Sequence, residues 1–117
     1  MKPVTQKQPR LKSKKYINWV KSLPCCVCGT DQEITAHHLI GHGTKGTGIK
    51  SDDRLTMPMC FEHHHQLHHY GHMRFDQRYS TMRQDGQIYF INITLGKARV
   101  QKALTSDEIK QARELIE

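Results

Sequence analysis

The sequence has little from which to build a conventional apolar core. Its 117 residues include 1 Trp, 3 Phe and 4 Tyr, and hydrophobic residues make up 36%. Ordinary domains run at roughly 45–50%, a benchmark that also counts Gly. At this length there is room for one domain, or one small domain with an arm, which excludes a large two-domain cofactor enzyme. No apolar run approaches the roughly 20 residues that span a bilayer, so no membrane partner is expected. No apolar stretch of signal-peptide type follows the charged start, which argues against export. The 4 Cys are then expected in a reducing cytoplasm, where cysteine patterns more often mean metal than disulfide.

Acidic residues are missing altogether from positions 1–30, where seven basic side chains stand (Lys2, Lys7, Arg10, Lys12, Lys14, Lys15 and Lys21). The rest of the chain balances 11 basic against 11 acidic groups, so the net charge of +7 belongs to this first segment. Residues 1–12, rich in Lys, Gln and Pro, read as a flexible basic arm suited to a phosphate-rich partner. A solubilising tail is the bland alternative.

What the chain does have is histidine. All 9 lie between His37 and His72, and such tracts commonly signify metal. The first ligand set is Cys25-x-x-Cys28 with Cys60-x-x-His63, two short knuckles suited to a closed tetrahedral Zn²⁺ site that would supply folding energy. Cys26 does not fit this spacing and reads as a packing residue, with a shifted register through Cys26 left open. The second set combines His37 or His38 with His64 and His68. Adjacent strand residues face opposite ways, so only one of the first pair ligates, while i and i+4 share a helical face. Three protein ligands leave an open position on the ion, and a free histidine beside it can act as general base. The pairs His65/His69 and His68/His72 have the same spacing, so the register is open on spacing alone. His42, His65, His69 and His72 are either groove-lining or solvated.

These motifs sit on a short-element pattern of α+β class. Ser13 caps a helix that Pro24 ends, and residues 25–29 make a tight turn. Short strands are expected at 33–38 and 55–59, separated by a long Gly-rich loop over 39–54. Helices follow at 61–70 and 72–80. The segment 87–95 is β-branched, yet Gln84, Ile88, Ile91, Leu95 and Ala98 keep helical spacing, and helix is preferred. Thr105 and Glu108 form a capping box for a final amphipathic helix, which packs internally or against a second copy.

In order, PCCVCG, AHHLIGHG, the Gly-rich loop, MPMC and EHHHQLH resemble the zinc-knuckle HNH (ββα-metal) endonucleases. More narrowly, they are similar to the phage recombination-enhancement nucleases that act with RecA. The resemblance covers roughly residues 16–80. It implies a small zinc-stabilised ββα-metal core at 13–80, with 81–117 a mainly helical extension of the same domain. It further implies a DNA endonuclease, encoded by phage or bacterium, working on DNA or a RecA–DNA filament. Low sequence specificity is expected because no recognition helix with base-reading Arg/Asn spacing is visible, and the final helix leaves a monomer or weak homodimer. By the same resemblance His37, His64 and His68 hold one catalytic ion (Mg²⁺, Mn²⁺ or Zn²⁺). His38 is then the general base, and Cys25, Cys28, Cys60 and His63 hold the structural zinc. Lys12, Lys14, Lys15, Lys45, Lys50, Arg54 and Arg74 are the candidates for gripping DNA phosphates. The spelling GHGTKGTGIKSDD departs from the narrower group, and nothing after Ser80 matches it. A zinc-binding nucleic-acid module without turnover is the alternative, and a metal buffer a third reading that the basic arm disfavours.

Overall fold

The computed structural model describes residues 11–41 and 52–116. Helix α1 (Lys14–Lys21) begins at Ser13, whose backbone is extended and whose side-chain oxygen accepts the Tyr16 N–H at 3.1 Å. Tyr16 and Val20 are buried while Lys14, Lys15 and Lys21 face solvent. The chain then makes the cysteine turn, stitched to the sheet where the Cys26 N–H donates to the Pro58 carbonyl at 2.9 Å. Gly29, at φ +79°, takes the left-handed conformation that closes this turn.

Strands β1 (Ile34–His38) and β2 (Thr56–Cys60) form a two-stranded antiparallel sheet in the register Ile34↔Cys60 through His38↔Thr56. Every residue of β2 is buried, including Pro58, which gives its strand no N–H to donate but accepts from the cysteine turn. Helix α2 (Phe61–Tyr70) follows β2 without a linker, because Cys60 is at once the last strand residue and the N-cap. Gly71, at φ +96°, turns the chain directly into α3 (His72–Arg78), a conformation that side-chain-bearing residues rarely adopt.

Residues 86–100 are the helix α4 (Gly86–Val100), so helical spacing prevailed over β-branching. Ile91, Leu95 and Ala98 are buried on the expected stripe, widened by Gln87, Phe90 and Thr94, whereas Gln84 precedes the helix. The capping box ahead of α5 (Ser106–Ile116) is made both ways, Thr105 N–H to Glu108 at 2.8 Å and Glu108 N–H to Thr105 Oγ1 at 3.1 Å. Ile109 and Ala112 join the common core, so this helix packs internally. One core thus runs from Tyr16 and Val20 through the β2 side chains to α4 and α5, with the sheet and α2 carrying the histidines. The protein is a small α+β domain with a two-stranded antiparallel sheet and five helices among the described residues. None of those helices is long and apolar enough to cross a membrane.

Three expectations change. The arm does not extend to residue 12, because Leu11 already exchanges backbone bonds with the 52–53 turn: its N–H reaches Asp52 Oδ2 at 3.2 Å and its carbonyl accepts the Asp53 N–H at 2.9 Å. Residues 1–10, and the loop positions His42, Lys45 and Lys50, lie outside the described residues. The second strand and the third helix shift slightly, to 56–60 and 72–78. Arg54 is not available to phosphate. It is 3% exposed, and its guanidinium grips Asp52 at 2.6 and 2.9 Å and reaches Gln111 of α5 at 3.1 Å. Asp52 holds the Arg54 pKa above its ordinary value, so the pair is a charged clamp between the 52–54 turn and α5. Arg54→Ala is expected to cost about 3–5 kcal/mol, since it strands a buried carboxylate. Urea unfolding against Lys14→Ala, an exposed control, measures it, and equal midpoints would dismiss the clamp.

Candidate metal centres

The cysteine turn and the β2–α2 junction bring Cys25, Cys28, Cys60 and His63 together, their ligand atoms all within 4.8 Å of one another. Cys28 Sγ lies 3.9 Å from Cys60 Sγ, and Cys60 Sγ lies 3.2 Å from His63 Nδ1. A tetrahedron with Zn–S near 2.3 Å has edges of about 3.8 Å, so the sulfur pair fits a zinc site, and the separation is far too long for a disulfide bond of about 2.05 Å. Backbone donors serve the sulfurs: Val27 N–H points at Cys25 Sγ (3.4 Å) and His63 N–H at Cys60 Sγ (3.5 Å). Burial would raise the Cys25 thiol, but the N–H groups of Cys28, Cys60 and Val27 outweigh it and hold that thiol below its ordinary pKa, favouring the thiolate a metal needs. Burial pushes the Cys60 thiol up. Cys26 stays outside the quartet, half-buried against the core, and burial drives its pKa upward as suits a neutral packing thiol.

The second cluster is His37, His64 and His68. His64 Nε2 is 3.1 Å from His37 Nδ1 and 3.0 Å from His68 Nε2, with the rings edge to face. Three imidazole nitrogens crowded this closely suit a shared cation, whose coordination shell with M–N near 2.0–2.1 Å has N···N edges of about 3.3 Å. His65 and His69 are not part of it. Their rings stack in parallel on the exposed side of α2 with Phe61.

The tautomer of His37 follows from a neighbour. The Gln87 amide nitrogen donates to the Ile40 carbonyl (3.0 Å) and to Asp76 Oδ2 (3.1 Å), both obligate acceptors, so the amide can be oriented only one way. Its oxygen then accepts the Ile40 N–H at 3.1 Å and must accept His37 Nε2–H at 3.0 Å. That leaves the His37 Nδ1 lone pair facing His64 and His68. Asp76 is held in place by the Gln87 N–H at 2.8 Å. Burial, offset in part by the Gln87 bond and reinforced by His64 and His68, lowers the His37 pKa to about 4. Burial and the neighbouring His68 lower that of His64. Both shifts favour the neutral imidazole, the form a metal ligand must take.

His38, one residue on, belongs to neither cluster. Its half-exposed ring bonds Asp53 through Nε2 at 2.8 Å, and the other oxygen of Asp53 accepts the Ser13 N–H at 2.7 Å. Nδ1 is thereby left as the acceptor atom. Lys12, Lys14, Lys15 and Arg74 are exposed, as phosphate contacts require. The residues that sequence reasoning missed are Gln87, Asp76 and Asp53. Gln87 carried one signal, a polar side chain four residues before Ile91 on an apolar stripe; Asp53 lay unmarked in the loop.

A family model described as "Protein of unknown function (DUF968)" matches residues 3–96. The Escherichia coli K12 protein titled "Uncharacterized protein YdfU" is 45% identical over 62 residues, which is 53% of this chain and 18% of that protein. The chain thus corresponds to less than a fifth of that relative's length. No solved structure matches.

Two outcomes are expected. Cys28→Ser lowers bound zinc by one equivalent and drops the melting temperature by several degrees, read by metal analysis and a thermal melt; unchanged values for both would remove the site. Gln87→Ala weakens Co²⁺ uptake at the histidine cluster about 10–100-fold, the usual cost of losing an outer-sphere partner. The Co²⁺ absorption spectrum follows this while the cysteine-site thiolate bands stay as a control, and an unaltered titration would show the amide to be dispensable.

Proposed function

The chain belongs to the DUF968 family, and we propose that this member is a metal-dependent DNA endonuclease of the HNH (ββα-metal) class. The observation that carries the reading is the adjacency of two different histidine environments at the end of β1. His37 is buried, neutral and aimed at His64 and His68, while His38 is half-exposed, oriented by a carboxylate and, among the described residues, left with no partner on its acceptor atom. A module that only bound zinc and nucleic acid would need the first and not the second. The β1–β2–α2 order, with α2 leaving β2 at a cysteine that could ligate a metal, supports the reading.

The chemistry divides among the residues as follows. His38 Nδ1 takes the proton from the attacking water, and Asp53 holds the ring by Nε2–H and stabilises the imidazolium that results. His37, His64 and His68 would hold one divalent ion (Mg²⁺, Mn²⁺ or Zn²⁺), which supplies charge neutralisation at the phosphate and leaving oxygen. Cys25, Cys28, Cys60 and His63 would hold a structural Zn²⁺ that fixes the start of α2, and so the direction in which His64 and His68 point. Lys12, Lys14, Lys15 and the basic residues before them tether DNA through its phosphates, which gives affinity with little sequence preference. Lys45 and Lys50 remain candidates for the same role from the Gly-rich loop. In this reading the protein works in the cytoplasm of a bacterium or an infected cell, on DNA or on a RecA–DNA filament.

A plasmid-nicking assay with Mg²⁺, Mn²⁺ or Zn²⁺, with and without RecA filaments, tests the proposal. Wild type is expected to nick, and His38→Ala to lose about 10²–10⁴-fold in rate, the usual contribution of a general base. A His38→Ala variant that cuts at the wild-type rate would eliminate the base. Failure of wild type to cut under every condition would favour the non-catalytic zinc-binding nucleic-acid module.

A further inference from the structure

A groove of about 390 Å³ runs between α2 and α3, on a different face of α2 from His64 and His68. That volume falls within the range of small-ligand sites, roughly 300–1,000 Å³. Leu67 and Phe75 are its buried floor, Tyr70 and Tyr79 line it, and Arg74 and Arg78 complete it from α3. Among the described residues no carboxylate lines it, although the chain beyond residue 30 is electrically balanced. The two arginines are four residues apart and share one helical face. Among the described residues neither has a carboxylate partner.

The aromatic members are unequal in a useful way. Tyr79 is fixed from behind by Phe75 (centroids 4.8 Å) and Phe90 (5.7 Å), and the Arg78 guanidinium lies 5.6 Å over its ring. Tyr70 is 60% exposed, a large aromatic surface left to water at the groove. Rings offer a stacking surface to any base, and guanidinium forks match phosphate oxygens. Two unpaired cations, two rings, an apolar floor and no acid form a site for a flat heterocycle carrying an anion.

We propose that this groove binds one unpaired nucleotide of a nucleic-acid strand, with Arg74 and Arg78 on its phosphate and Tyr70 and Tyr79 against its base. The choice of a nucleotide over other anionic heterocycles rests on the nuclease reading; the site itself does not. A duplex keeps its bases stacked and inaccessible, so the groove favours single-stranded over double-stranded DNA. It holds a strand at a second point, away from the histidine cluster, and so restrains the path along which the strand crosses that cluster.

The test measures binding without cleavage. Fluorescein-labelled dT12 is titrated, by anisotropy, into full-length His38→Ala protein at several salt concentrations, with a duplex of equal length, dTMP and inorganic phosphate as competitors. Adding Arg74→Ala and Arg78→Ala together is expected to weaken dT12 binding at least tenfold and to flatten the salt slope by about 0.7, which is one single-strand phosphate contact. Tyr70→Ala should weaken binding about fivefold or more through lost stacking, with the slope retained. dTMP should compete better than phosphate. Circular dichroism melts confirm that the variants are folded. The proposal is overturned if the double-arginine variant binds dT12 with its parent's affinity and slope, if the duplex binds more tightly than dT12, or if the parent does not bind dT12 at all. Plasmid nicking plays no part in these readouts, so a failure of the nuclease reading would be seen separately.

Discussion

A single buried amide with only one permissible orientation connects most of the molecule to its histidine cluster. Gln87 projects from α4, donates to Asp76 on α3, exchanges bonds with both backbone groups of Ile40, and accepts from His37 on β1. Each of the other partners is chemically unambiguous, so the ambiguous one, the imidazole, is forced. Through His37 Nδ1 the constraint passes to α2, where His64 and His68 stand. Buried polar groups are costly unless every member is satisfied, and the described bonds to this amide use both its donors and its acceptor. Its conformation is therefore coupled to the packing of four separate elements, and no local motif contains it.

That distribution explains what could be read from the sequence and what could not. Cys25, Cys28, Cys60 and His63 come from two short knuckles whose spacing largely determines convergence, and the structure brings those four together. The i, i+4 pair His64/His68 was the preferred reading, because His64 directly follows the knuckle residue His63, although spacing alone did not exclude His65/His69. The structure separates them by what faces α2: His37 meets one face, and solvent meets the other. Gln87 and Asp53 were not legible, because they act across 50 and 15 residues of sequence on rings whose own neighbours give no hint of it. Arg54 was misread for a related reason. A basic side chain after a Gly-rich loop looks like a phosphate ligand until the carboxylate two residues earlier and the helix near the C-terminus are seen to enclose it. Helix α4 was readable because its apolar spacing held across fifteen residues, a stronger signal than the β-branching of a few of them.

The turn at 52–54 is the counterpart of the amide on the other side of β1. Asp52 binds Leu11 and Arg54, and Asp53 binds Ser13 and His38. The entry of α1, the clamp to α5 and the half-exposed histidine are thus fastened by two consecutive carboxylates. In a domain with so few aromatics, charged and polar ties take over part of the positioning that a larger core would supply. The histidines on β1 are consequently held from two directions, His37 from α4 and His38 from the turn.

Cys60 closes three tasks in one residue: it ends β2, caps α2 with its sulfur, and belongs to the group of three cysteines and His63. A thiol is a weak acceptor, whereas a thiolate is a full negative charge at the end of a helix where negative charge is favoured. Ionisation of this sulfur on metal capture would therefore lower the nucleation barrier of a ten-residue helix too short to be stable alone. Metal held by the knuckle would thus favour the first turn of the same helix on which His64 and His68 face His37, so the two clusters would be coupled through this one cysteine.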